Sequence, residues 1–220
     1  MINFLKKNKL TLWQEELFAV LLFIVSLMLL KFFPSQNSIG QTLTGFAFIL
    51  GLLPFLFIKF ILKKDIRNFG WQIVSWKKYQ KWIITFFIAS LALGFLSILL
   101  PLVRENYFIN TLVAKYFWAF VFYELVIVNI LVFLETAFFQ GFILSALKDK
   151  LGKMSILAAF LAFMIYLFIL QGLDWSLLPF LLIFLATSFL SYLTRSFYWS
   201  YGIILMSHIL IDAYFIRAIH

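Results

Sequence analysis

The sequence predicts an all-α, polytopic transmembrane bundle of about seven spans, and three observations carry that prediction. Of the 220 residues, 65% are hydrophobic and only 12% are charged, whereas a soluble domain carries about 25% charged residues. Mean hydropathy is +1.04. Apolar runs of about 20 residues, the length that crosses a hydrocarbon core, recur along the chain. Too little polar surface remains to cover a water-soluble globule. A secreted scaffold, a nucleic-acid-binding domain and a disordered tail are thereby excluded. The chain reads as one integral membrane domain over 1–220, with no repeat, no low-complexity tract and no second domain.

The spans follow in order. The first apolar run, 17–33, comes after Lys6, Lys7 and Lys9 but lacks a small-x-small cleavage pattern. It reads as a retained span rather than a signal peptide. Runs at 40–62 and 82–103 come next, separated by 63–81, the one sizeable polar connection. The fourth, 115–147, is too long for an upright crossing and must tilt, bend or project. The last three are 154–171, 176–193 and 198–217. The short connections 34–39 and 172–175 make antiparallel hairpins of their flanking helices.

Basic residues are distributed unevenly between the two sets of loops. Lys6, Lys7, Lys9, Lys63, Lys64, Arg67, Lys77, Lys78, Lys81, Lys148, Lys150, Lys153 and Arg195 fall on one side, thirteen in all. Arg104, Lys115 and Arg217 fall on the other. Because Lys and Arg are retained in cytoplasmic loops, this bias predicts a cytoplasmic N-terminus. The net charge of +9 is therefore a topology signal, and no nucleic-acid partner is expected. With no cysteine, disulfides and thiolate metal sites are impossible.

Three acids lie inside the spans: Glu124 and Glu135 in the fourth, Asp212 in the last. An ionisable group at bilayer depth costs about 2.5–3.5 kcal/mol on translocon scales, so each needs a partner or a polar cavity. Glu124 and Glu135, eleven apart, share a helix face. His208 and Asp212, at i and i+4, share another. Counted from the basic side, Glu135 and His208 reach similar depth, at about 18 and 16 Å. The reading is that Glu135, His208 and Asp212 face one interior cavity, opening toward the basic side. Gly141 is read as permitting close helix approach. Glu124 and Asn129, without companion residues, read as packing contacts, since isolated polar residues in membrane helices often only bond a neighbouring helix. Terminal His220 reads as solvated.

The stretch Glu135-Thr-Ala-Phe-Phe-Gln140-Gly resembles the first motif of the CPBP family, the CAAX-processing and bacteriocin-processing intramembrane proteases. That motif reads Glu-Glu-x-x-x-Arg, usually followed by Gly. His208-Ile-Leu-Ile-Asp212, late in a helix after the basic turn Thr194-Arg195, is similar to the third motif, His-x-x-x-Asn/Asp. The loop Lys64-Asp-Ile-Arg-Asn-Phe-Gly70 looks like the loop that precedes the family core. The resemblance covers a core of approximately 115–217, and most closely 130–213.

It implies hydrolysis within the membrane. Glu135 would act as general base on a water, with His208 and Asp212 stabilising the oxyanion or holding the site together. Thr136 and Gln140 would support the motif through uncharged hydrogen bonds. The chain departs from the pattern at three places. Thr136 stands for the second Glu and Gln140 for the Arg. The helix at 154–171 has no His where the second motif, Phe-x-x-x-His, belongs, and Tyr166 lies near that place.

Three functions follow as expectations. The first is an intramembrane endopeptidase acting on membrane-associated peptides or proteins, with prenylated and leader-peptide substrates as candidates. The second is a catalytically inactive relative that binds a membrane peptide as an immunity or regulatory protein. The third is a small transporter, which calls for an inverted repeat or matched broken helices that the sequence lacks. No cofactor is expected, and no metal, because Zn²⁺ takes three protein ligands plus water and only Glu135, His208 and Asp212 are available.

Overall fold

The computed structural model describes residues 14–33, 39–107, 111–172 and 174–219. Among the described residues there is no strand. The helices are α1 (Gln14–Phe32), α2 (Ile39–Ile61), α3 (Trp76–Ile98), α4 (Pro101–Asn106), α5 (Thr111–Lys115), α6 (Phe117–Leu151), α7 (Met154–Gln171), α8 (Leu178–Thr194) and α9 (Tyr198–Ile219). Six stretches are long and apolar enough to cross a bilayer: α2, α3, α6, α7, α9, and Trp175–Thr194, which is α8 with its leading 3₁₀ turn. The chain is thus an integral, multi-pass membrane protein. Helix α1 carries Glu15 and Glu16 in its first turn and Lys31 in its last. Only Leu17–Leu30 lies between them, about 21 Å of helix. Lys6, Lys7, Lys9 and His220 lie outside the described residues.

Several boundaries differ from expectation: α1 begins at Gln14 rather than 17, and α6 ends at Leu151 rather than 147, so Lys148 and Lys150 are helical. Helix α3 begins at Trp76 rather than 82, so Lys77, Lys78 and Lys81 are helical. Ser75, extended at ψ 128°, sets its start. It ends at Ile98 because Pro101 opens a new helix, and Leu100 before it is extended at ψ 125°, as a residue preceding proline prefers. The fourth span runs 35 residues as one continuous helix, roughly 52 Å long. It carries π-helical stretches at Tyr123–Val128 and Ala137–Ile143. Such insertions rotate the faces on either side of them and occur frequently at functional sites.

Helix–helix contact in lipid rests on packing and hydrogen bonds rather than on escape from water. Aromatic rings supply much of the packing around α6. Phe139 meets Tyr166 and Phe163 of α7 at 5.1 and 5.3 Å between ring centroids. Phe163 stacks on Phe184 of α8 at 3.9 Å. Asn129 accepts a hydrogen bond from Tyr201 and so ties α6 to α9.

The segment 62–75 folds back across the basic end of the bundle. Asp65 accepts from the Arg67 amide and caps a 3₁₀ turn, Ile66–Phe69, which closes at Gly70 with φ 84°. That turn sits on Gly141: a Cβ there would lie 3.2 Å from the Phe69 carbonyl oxygen and 3.1 Å from the Phe197 ring. The small residue after Gln140 therefore admits this turn, not a second helix. Gly70 accepts from the Phe197 amide at 3.3 Å, and Gln72 donates to the Arg195 carbonyl at 2.9 Å.

Candidate functional site

Glu135, His208 and Asp212 line one cavity of about 320 Å³. Its walls come from α6 (Tyr123, Val128, Leu131, Val132), α7 (Phe163, Leu167, Gln171) and the start of α8 (Leu177, Phe180), with Tyr107 from the α4–α5 connection. It extends from Glu135, midway along α6, to Gln171 and Ser176 beside the 172–174 connection. That is the end opposite the basic loops. The expectation put its opening toward the basic side, but its lining reaches the far end of α7 and the turn before α8, and no residue of the 62–75 segment lines it.

Each polar group in the cavity is held separately. Tyr166 donates to Glu135 Oε1 at 2.8 Å. The Phe139 and Phe163 rings pack around Tyr166 and fix where its hydroxyl points. Among the described residues no hydrogen bond reaches the second oxygen, Oε2. His208 stacks on the Phe180 ring at 3.7 Å and 10°. No hydrogen bond or ion pair joins His208 to Glu135 or to Asp212. The two motifs share a cavity, then, without touching across it.

Asp212 accepts instead from the Tyr107 hydroxyl. Tyr107 is itself clamped against Phe215 at 3.8 Å with nearly parallel rings. Burial, reinforced by the negative charge of Asp212, pushes the Tyr107 phenol well above its ordinary pKa. It therefore stays protonated and remains a donor.

Glu124 lies beside this pair. It is 1% exposed, and its carboxyl lies near that of Asp212. The reading of Glu124 as a plain packing contact is thereby modified: it is buried near Asp212, although it does not itself line the cavity. Tyr107 was not singled out from sequence at all. It sits in a short polar connection between two apolar runs, and nothing in its neighbours marks it.

Thr136 and Gln140 do not line the cavity. Thr136 donates back to the Val132 carbonyl of its own helix at 2.6 Å. Gln140 faces α8, donating to the Phe184 carbonyl at 3.2 Å and Thr187 Oγ1 at 3.0 Å, and accepting from Ser191 at 2.8 Å. Ser191 also pairs with Ser200 of α9 at 2.7 Å. This is a buried polar lock between three helices, made where a buried amide must find partners.

Among the described residues no three His, Cys, Asp or Glu side chains converge as a metal-binding group. No family model, no characterised protein and no solved structure matches the chain.

Proposed function

We propose that the protein is an intramembrane endopeptidase of CPBP type, with the α6–α9 cavity as its working site. One observation carries the reading: Glu135 presents a carboxylate to a membrane-embedded cavity with one oxygen oriented by Tyr166 and the other unbonded. Oε2 is placed to take a proton from a water, whose oxygen then attacks the scissile carbonyl. The proton passes from Glu135 to the departing amine as the C–N bond breaks. His208, held flat on Phe180, can donate a ring N–H to the developing oxyanion, which is the largest kind of contribution a dry site makes. Tyr166 takes the place of the family's second-motif His as the partner of the carboxylate. The substrate is a peptide bond of a membrane-associated peptide or protein. The charge bias of the loops supports a cytoplasmic N-terminus, which leaves the cavity opening to the opposite face.

A second reading, a catalytically inactive peptide-binding relative, is favoured by the same Tyr166. Its hydroxyl proton is committed to Glu135, and a phenol oxygen is a weaker acceptor for a water than an imidazole nitrogen. Incubating the purified protein in nanodiscs with prenylated and leader-peptide libraries, followed by mass spectrometry, separates the two. Cleavage that disappears in Glu135→Gln supports the endopeptidase. Retention of peptides without cleavage, equal in both proteins, selects the binder.

A further inference from the structure

Two cations on the charge-poor face meet at one hollow. Lys115, the last residue of α5, and Arg217, in the last turn of α9, both line a cavity of about 390 Å³ between the start of α6 and the end of α9. The topology brings them together: α6 sets out from that face and α9 returns to it.

Like charges that share a hollow repel unless an anion stands between them. No side chain of the hollow supplies one, since neither Asp nor Glu lines it. Among the described residues the one ion pair is Lys64–Glu15, away at the basic end. The Lys115 ammonium lies over the Tyr116 ring, 5.6 Å from its centroid. That contact holds the charge in place without cancelling it. Arg217 is exposed.

The walls say what carries the anion. Phe117, Phe120, Ala213 and Ile216 line the same hollow, and all four belong to membrane spans. The α6 span begins at Phe117 and the α9 span ends at Arg217. The two cations therefore stand at the level of the lipid headgroups, and the apolar wall runs from there into the hydrocarbon. Tyr116, Phe117 and Trp118 are exposed at that level, as in the aromatic belt of a membrane interface. A small soluble anion would use the cations alone. A ligand with a negative head and an apolar tail uses the whole hollow, and basic pockets between membrane helices take lipid head groups in this way.

We propose that Lys115 and Arg217 hold the phosphate of an anionic phospholipid, with one acyl chain lying along Phe117, Phe120, Ala213 and Ile216. Bound there, the lipid ties α5 and the start of α6 to the end of α9. The site is separate from the Glu135 cavity, because no residue lines both, and it does not depend on what that cavity does.

The chain has no cysteine, so Val121→Cys gives a single attachment point for a bimane fluorophore. Val121 lies one turn inward from Phe117 on the same helix face. The full-length labelled protein is placed in phosphatidylcholine nanodiscs at constant ionic strength. Graded fractions of the lipid are replaced by dibrominated phosphatidylglycerol or by dibrominated phosphatidylcholine with the same chains, and quenching of the bimane is read. Each Lys or Arg near a headgroup is worth roughly fivefold in affinity for anionic lipid. Half-quenching should therefore need a phosphatidylglycerol fraction at least about tenfold below that of phosphatidylcholine. Lys115→Gln combined with Arg217→Gln should bring the two lipids to within about twofold. Lys77→Gln combined with Lys78→Gln, at the basic end, should leave the preference in place. Excess inorganic phosphate should not change it either. Equal quenching by the two lipids overturns the proposal, as does a preference that survives loss of Lys115 and Arg217 or disappears with Lys77 and Lys78. A preference erased by phosphate assigns the cations to a free anion and overturns the lipid. The comparison of the two lipids in the labelled parent stands even if a variant fails to fold.

Discussion

Replacing Gln140 by Leu tests whether this residue works on the chemistry or on the architecture. The substitution keeps a similar volume and removes three hydrogen bonds to α8: to the Phe184 carbonyl, to Thr187 and from Ser191. Interhelical hydrogen bonds in membranes average about 0.6 kcal/mol each, so three are worth about 2 kcal/mol. The loss stays near that figure because no partner is stranded. Ser191 keeps Ser200 at 2.7 Å, and Thr187 still donates to the Ile183 carbonyl at 2.9 Å. On the scale of soluble chains of this size, about 2 kcal/mol lowers Tm by roughly 4–8 °C. The assay is thermal unfolding in detergent, paired with cleavage measured well below the new Tm. Unchanged stability together with abolished turnover would refute the architectural role and return Gln140 to the reaction.

Other perturbations have equally definite outcomes. Gly141→Ala pushes a methyl to 3.2 Å from the Phe69 carbonyl and 3.1 Å from the Phe197 ring; overpacking of that kind costs about 1–3 kcal/mol, read as a lower Tm with unchanged helicity. Tyr166→Phe removes the donor that orients Glu135, and kcat should fall by about tenfold or more with KM little altered; an unchanged kcat would mean the hydroxyl is incidental. Glu135→Gln should abolish cleavage, whereas Glu124→Gln, at a residue that does not line the cavity, should reduce it less. Equal kcat losses in the two would undo that ranking. Tyr201→Phe, which breaks the bond to Asn129, should cost only about 0.6 kcal/mol and leave cleavage intact.

The helices were largely legible as apolar runs. The run at 154–171 coincides with α7, and those at 176–193 and 198–217 differ from the observed helices by a residue or two. The start of α3 was not legible, because Trp76 to Lys81 is polar yet helix-compatible, and polarity was read as a loop. The cavity was legible only as a list of acids and one imidazole at comparable depth. Which neighbour each group chooses depends on how every helix is rotated about its axis. A helix apolar on all sides carries no mark of that rotation, and the π-helical turns at Tyr123–Val128 and Ala137–Ile143 shift it further. Hence Glu135 pairs with Tyr166 rather than facing His208 directly, Gln140 turns to α8, and Glu124 lies near Asp212.

The stretch from Asp65 to Gln72, with Gly70 seated on Gly141 and bonded to Phe197 and Gln72 bonded to Arg195, acts as a strap across α6 and the junction between α8 and α9. Cutting that strap loose should therefore free the middle of α6 from the start of α9 and lower Tm.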